Sequence, residues 1–563
     1  FSYDLSWFRG SHNLTFGGMY KRIQFNPNVS ATKRGQFTFT GAYTGDAFGD
    51  FLLGLPFNAR GGAGSTQVYL RGNETAAFVQ DDWKAAKRLT LNLGLRYEYA
   101  SPFSEKYNRW STLDVELGQV VVASDDNGRT YPQSLWVPGI EQRLAPLPIV
   151  TSEAAGLERS LASKDLNNFA PRFGFAFDLF GNQRTVIRGG YGIFYNVASY
   201  NALTLQSLAG PFFSSINANN SATAPAPIQT ILSNPMLGTP GWASYDINFH
   251  TPYYQQWNFG IQRLLTRDLL VEAQYLGSKG TKLYTNIYFN VPDPSPTNMP
   301  PIAARSRYPT LGNNTLQASA GKSNYDALVL RAEKRLSSGL MVMGSYTFSK
   351  SIDLDSLAAS VASSNLDESN MKSLERGLSS FDVRHRFVAS FTYNFPFKFK
   401  RRLVGALLKN WQAGGIITQQ SGLPFTVNIT SDRANNGLLN QRPNLVGDPN
   451  LPADERTPER WFNTDAFVVQ PVGTLGTAGR DILEGPGTSI VDFSLLKNIP
   501  FSDRHRLQFR AEFFNLFNHA NFDVPERFCA GTVTGAPCTA PQFGRIDAAR
   551  DPRVLQFGLK YLF

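Results

Sequence analysis

Histidine and cysteine are nearly missing from this chain, five and two respectively among 563 residues. The five, His12, His250, His385, His505 and His519, never take the His-Glu-x-x-His spacing of a zinc hydrolase, and two cysteines cannot build a zinc ribbon or a disulfide scaffold. A phosphate-binding loop is also lacking. Ala320-Gly321-Lys322-Ser323 matches only the tail of one, Leu316 stands where the upstream glycine is required, and the stretch is expected to be a plain loop. Gly189-Gly190-Tyr191-Gly192 lies in an alternating strand with no helix after it, so it is not a dinucleotide fingerprint. Asp125-Asp126-Asn127-Gly128 lacks the alternate ligand spacing of a calcium loop and reads as a turn. The expectation is a protein that is not an enzyme and carries no cofactor and no metal.

Long apolar runs are absent as well. No stretch of 18 apolar residues occurs, which excludes a helical membrane span. No sustained Pro, Gly or Ser linker divides the chain, so residues 1–563 are read as one domain despite a length that would suit several. Charged residues are few, at 17% against the usual quarter. Phe (43) and Tyr (22) are abundant, and the net charge is +10. Lys and Arg are scattered rather than striped, apart from Lys398, Lys400, Arg401 and Arg402 in one short turn, so nucleic acid is not the expected partner.

What the chain does have is alternation at two scales. Within segments of about ten residues, apolar and polar side chains alternate. Leu89, Leu91, Leu93, Leu95, Tyr97 and Tyr99 share one face, and Thr90, Asn92, Gly94, Arg96 and Glu98 the other. The pattern recurs at Phe173–Leu179, Ile187–Tyr195, Phe387–Phe395 and Leu555–Phe563. Between segments, short turns alternate with long loops. The turns fall near 10–13, 85–88, 181–183, 265–267, 337–339, 397–408 and 500–504, the loops near 26–73, 101–168, 196–252, 279–322, 351–383, 420–488 and 518–552. A soluble sandwich has no reason to sort its loops this way. A closed antiparallel barrel in an outer membrane does, with turns on the periplasmic side and loops outside.

The predicted fold is therefore all-β, a transmembrane antiparallel up-and-down barrel with about 14–16 strands present, including a possible extra pair in 35–43 and 66–72. A charge on the lipid face would cost about 2 to 4 kcal/mol near the midplane. The charges of the polar faces, Arg96, Glu98, Arg172, Asp178, Arg188, Arg510 and Glu512, are thus candidates for a wet or protein-filled lumen. Structural ion-pair ladders are the expected role; contact with a solute or a plug is the alternative. Cys529 and Cys538, close together in the last outer loop, are expected to form a disulfide in that oxidising compartment. Basic outer residues suit contact with anionic lipopolysaccharide.

At the level of motifs, Gln80-Asp81-Asp82-Trp83-Lys84 followed by Leu89–Glu98 resembles the barrel hairpin of TonB-dependent outer-membrane receptors, in particular the Oar-like group. Three more segments carry the same resemblance: Glu375-Arg376-Gly377 with Phe381–Phe387, the stretch from Arg442-Pro443-Asn444 through Trp461-Phe462-Asn463 to Gly485-Pro486-Gly487, and Arg510–Phe522. The terminal Tyr561 and Phe563 are similar to the carboxy-terminal signal read by the barrel-assembly machinery.

The resemblance implies a 22-stranded barrel preceded by a plug, a TonB-contacting segment and often a small β-sandwich. Phe1 opens inside a strand-like run without an initiating Met, so the expectation is a C-terminal part lacking plug and first strands, leaky or occluded by infolded loops, and unable by itself to perform energised uptake. The implied function is energy-coupled, substrate-selective transport across the outer membrane of a Gram-negative-type bacterium. Its implied partners are outer-membrane lipids, a TonB-type complex and an unidentified ligand. A passive porin-like channel and a surface adhesin or structural barrel are the alternatives.

Overall fold

Period-two alternation leaves each strand with one apolar and one polar face, and pairing such strands side by side makes a wall with two different surfaces. A computed structural model describes that wall for residues 1–563 except 30–33, 197–205, 222–223, 233–242, 313, 357–374, 398–407, 440 and 503. One largely antiparallel sheet of 18 strands dominates, with Ala243–Tyr245 its parallel member. Fifteen of these are long and follow chain order: β1 (Ser2–Arg9), β2 (His12–Phe25), β3 (Leu70–Ala86), β4 (Leu89–Ala100), β5 (Phe169–Asp178), β6 (Thr185–Tyr195), β7 (Tyr253–Leu264), β8 (Leu269–Tyr288), β9 (Thr315–Ser337), β10 (Leu340–Asp353), β11 (His385–Asn394), β12 (Trp411–Gln420), β13 (Thr488–Pro500), β14 (Arg506–Phe514) and β15 (Val554–Leu562). The short strands Ser104–Glu105, Ala243–Tyr245 and Gly377–Leu378 attach where the long loops leave the wall. Each long strand pairs antiparallel with the next, from β1 with β2 to β14 with β15. No ladder joins β1 to β15 among the described residues, so the wall remains open there.

Turns and loops sort to opposite ends of the wall. The two-residue turn between β9 and β10 uses Ser338 (φ 53°) and Gly339 (φ 82°). Two consecutive positive φ values give the twist that matches paired strands, and a glycine meets that demand without Cβ strain. The other unusual glycine lies inside a strand. A Cβ on Gly277 of β8 would come within 2.2 Å of the Trp257 ring, so the indole of β7 lies directly over the bare backbone.

Seven turns join fourteen strands and β15 adds a fifteenth, within the expected 14–16. Two expectations need correction. Residues 279–288 and 315–322, expected as loop, continue the β8–β9 ladder past a bulge to Tyr288 opposite Thr315, so Ala320–Ser323 is strand. The ladder extends where Tyr284 packs against a loop core and Ile287 is buried, which replaces the apolar surroundings of the wall below. The possible pair in 35–43 and 66–72 is not a wall hairpin. Gln36–Thr38 pairs with Asn58–Gly64, which pairs with Phe213–Asn219, and a partner about 150 residues away leaves no trace in local spacing. The basic cluster at Lys398–Arg402 lies outside the described residues.

The long loops fold into cores of their own. Val120, Val122, Trp136, Ile140, Leu144 and Phe212 belong to one, and Leu70, Phe103, Trp110, Leu161 and Tyr245 to another beside it. Loops 421–487 and 515–553 share a third around Phe425, Phe462, Phe467 and Phe543. Each fully buried Phe there contributes about 1.5 to 3 kcal/mol, which offsets the entropy of ordering such long connections. Cys529 is bonded to Cys538 and sits within this third core, where Phe528–Cys529 lies parallel to Asn428–Ile429.

Candidate functional site

Cross-strand partners share a face, so register assigns every wall residue. One row of the polar face runs Gly94, Arg172, Gly192, Gln256, Ser278, Tyr325 and Ser351 across six pairings. On the apolar face, Leu93, Phe173, Tyr191 and Trp257 stand in line. That face remains uncovered. Leu95 is 46% exposed, Phe173 47% and Leu559 68%, far more than single surface apolar residues require.

The polar face ties itself together. Arg96 pairs with Glu98 on β4 and covers the Phe78 ring at 5.7 Å. Lys21 meets Glu74 at 3.1 Å, Arg331 meets Glu333 at 2.9 Å, and the Asn92 amide donates to Asp82 at 2.6 Å. Arg172 lies 4.7 Å over Phe194, at the edge of a recess of about 300 Å³ backed by Gly174, Gly190 and Gly192. Arg510 donates to Gln508 at 2.9 Å. Asp178 instead accepts from the N–H groups of Gly181 and Gln183 and closes the β5–β6 turn. The side chains of Arg188 and Glu512 make no hydrogen bond or ion pair among the described residues, and Arg188 is exposed. At the last strand, Tyr561 is hydrogen-bonded to His505 at 2.7 Å with their rings stacked, and Phe563 packs 5.7 Å from Tyr561.

A buried charge cluster that spacing alone did not single out joins the loop layer to the wall. Arg442 donates to Glu375 at 2.6 Å, with only 8% and 5% of these side chains exposed. Arg480 pairs with Asp353 at the end of β10 and with Asp481 at 3.1 Å, and its Nε donates to the Glu375 carbonyl. Asp382 accepts from the Ser351 N–H at 2.6 Å. Burial pushes the Asp481 carboxyl up, against the Thr426 hydrogen bond and the Arg480 charge that pull it down. Two of the motif segments, 375–387 and 442–487, thus converge on one cluster. The fourth, Arg510–Phe522, forms the exit corner of β14. Asn515 (φ 49°) exchanges hydrogen bonds with the backbone of His519, and Asn521 accepts from the Ser489 N–H.

Where loops meet wall, a cavity is walled by the rings of Phe103, Trp110, Tyr245 and Phe249, with Asp165 and Gln206 as polar members. The Tyr245 hydroxyl is buried with no hydrogen-bond partner among the described residues, and burial pushes its pKa up. Among the described residues no group of three or more His, Cys, Asp or Glu is placed to hold a metal.

A wall with an uncovered apolar face and a self-paired polar face needs an apolar solvent outside and a wet one inside. The family described as outer membrane beta barrel domain matches residues 1–556. This chain belongs to that family. The uncovered Leu, Phe and Tyr rows of this outer-membrane β-barrel are accordingly its lipid-facing surface, and the sheet crosses with strands where, among the described residues, no helix is long and apolar enough to do so. Solved structures similar to the barrel include the outer membrane transporter YddB from Escherichia coli, at 10% identity and a TM-score of 0.49, covering 100% of this chain and 53% of that one. Others are the FrpB iron transporter from Neisseria meningitidis (12%, 0.46, covering 99% and 54%) and the ferric-catecholate import receptor Fiu from E. coli K12 (11%, 0.43, covering 100% and 53%). The chain spans about half the length of these structures. No curated protein matches it.

Proposed function

We propose that this barrel serves substrate-selective, energy-coupled transport across the outer membrane, as part of a TonB-dependent receptor, with its long loops outside the cell. The observation that carries the reading is the loop layer. Outer loops that need only stay soluble have no use for apolar cores, a disulfide and a buried Arg442–Glu375 pair. A layer built to hold shape over one end of the wall suits recognition of a particular solute. Arg188 and Glu512, whose side chains have no partner among the described residues, are the polar-face charges best placed to meet a solute or a plug inside; Arg96 and Glu98 stabilise the wall. Tyr561 and Phe563 would present the strand read during barrel assembly.

The motif resemblance supports energy coupling over passive diffusion. Deleting the gene from its host and following labelled solutes tests this. Loss of uptake confined to a few large solutes, reproduced in the parent strain by a protonophore, is expected. A graded loss across small solutes that the protonophore leaves untouched would make the barrel a passive channel, and no transport defect with lost surface binding would make it an adhesin.

A further inference from the structure

The outer loop between β4 and β5 carries a cleft of about 640 Å³ with an unusual charge balance. Four cations line it, Lys106, Arg109, Arg129 and Arg159, against one carboxylate, Asp125. None of the four forms a salt bridge among the described residues, whereas the buried arginines of the wall junction, Arg442 and Arg480, each face an acid. Asp125, whose Oδ1 is held by the N–H groups of Asn127 and Arg129, offsets the charge of only one of the four. Those bonds, helped by the charges of Arg129 and Arg159, hold its carboxyl below the usual range, so it stays ionised.

The arrangement is built rather than incidental. Glu105, wholly buried, accepts hydrogen bonds from the N–H groups of Tyr69, Tyr107 and Arg109 at 2.8, 2.7 and 2.9 Å. Satisfied by backbone, that carboxylate fixes the turn from which Lys106, Tyr107 and Arg109 project. Arg109 is 9% exposed, and its Nη2 is buried without a hydrogen-bond partner among the described residues. A buried guanidinium N–H left open is costly unless something arrives to accept from it. Arg159 likewise keeps a buried Nε without a partner while its Nη2 donates to the Glu105 and Lys106 carbonyls. Aromatic rings alternate with these cations. Lys106 lies 4.9 Å over Tyr107, Arg109 lies 5.8 Å over Tyr131, and Tyr69 meets Tyr107 edge-on at 5.4 Å.

Guanidinium forks pair with planar carboxylates, and tyrosine offers a flat apolar face with a hydrogen-bonding tip. An inorganic ion would use the first and leave three rings idle; a neutral sugar would use the second and leave net positive charge uncompensated. We infer that this cleft binds an acidic saccharide, its carboxylates on Arg109 and Arg129 and its rings against Tyr107 and Tyr131. The inference rests on the transport reading only for the cleft facing outward; binding itself does not require flux.

The test uses the full chain refolded in detergent and titrated by calorimetry with tri-galacturonate, with maltotriose as the neutral counterpart and bisphosphorylated lipid A micelles as the lipid source of anionic rings. Binding of tri-galacturonate that weakens with salt, and weakens about tenfold in both Lys106→Gln and Arg129→Gln, is expected, because each removed cation costs one charge-assisted contact. Both residues are exposed, so these variants keep the fold; Arg109→Gln, which is buried, is read only alongside an unchanged circular dichroism spectrum. Equal affinity for maltotriose, no binding of tri-galacturonate, or wild-type affinity in both exposed variants would overturn the inference. Binding of lipid A alone would assign the cleft to a lipid headgroup and overturn it too. Binding retained in a protein whose deletion leaves uptake intact would sink the transport reading and spare this one.

Discussion

Replacing Arg442 with Met tests whether the loop layer is held to the wall by its buried charges. Glu375 would keep its carboxylate at 5% side-chain exposure with no guanidinium 2.6 Å away. Stranding one member of a buried pair costs about 3 to 5 kcal/mol, which is about two to nearly four orders of magnitude in the opening equilibrium of the segment that carries it. Glu375 lies two residues before Gly377, which pairs with Asp353 at the end of β10, while Arg442 sits in loop 421–487. Opening should therefore expose that loop and leave the ladders below it intact. Limited proteolysis under conditions where cleavage follows the open population reads this directly. Arg442→Met is expected to shorten the half-life of loop 421–487 about a hundredfold or more, while the strands stay protected. Adding Glu375→Leu should recover much of the loss, because the double variant leaves no charge uncompensated. A single variant with wild-type proteolysis, or one whose wall unfolds together with the loop, would refute the reasoning.

Other consequences follow from the same geometry. With Cys529→Ser and Cys538→Ser in place, single cysteines at Asn219 and Glu455, both exposed in long loops, should react with an impermeant maleimide on whole cells and one at Ser338 should not; the reverse pattern would invert the topology. Intact mass without reductant should be two hydrogens lighter than the reduced chain, and the Cys529→Ser/Cys538→Ser pair should loosen loop 515–553 by about 2 to 3 kcal/mol, read by hydrogen exchange. Because burial raises the folded-state pKa of Asp481, its contribution to stability is complete below its unfolded value and is lost as pH rises through the raised one. Wild type should thus gain stability relative to Asp481→Asn as pH falls from 7 to 4, measured by melting of the loop layer; a pH-independent difference would count against a buried, ionising carboxyl.

Period-two alternation was enough to place the wall strands around 89–99, 173–179, 187–195, 387–395 and 555–563 close to where they lie, because a strand between lipid and water must alternate whatever its neighbours are. Chain order also settled the pairing, since short turns leave antiparallel neighbours no other partner. Where pairing leaves the membrane, these rules lapse. The extension of the β8–β9 ladder to Tyr288, and the sheet that joins 36–38, 58–64 and 213–219, depend on contacts between loops far apart in the chain.

The candidate sites divide along the same line. Faces follow from parity, so Arg96, Glu98, Arg172, Arg188, Arg510 and Glu512 could be assigned to the polar surface from the chain alone, but partners could not. Asp178 shares their parity and spends its carboxylate on a turn. Glu375 and Arg442 were visible only as members of separate motifs, and Lys106, Arg109, Arg129 and Arg159 only as scattered cations. A loop has no period to read, and which of its charges is buried, paired or left open is decided by packing between segments that meet only in the folded chain.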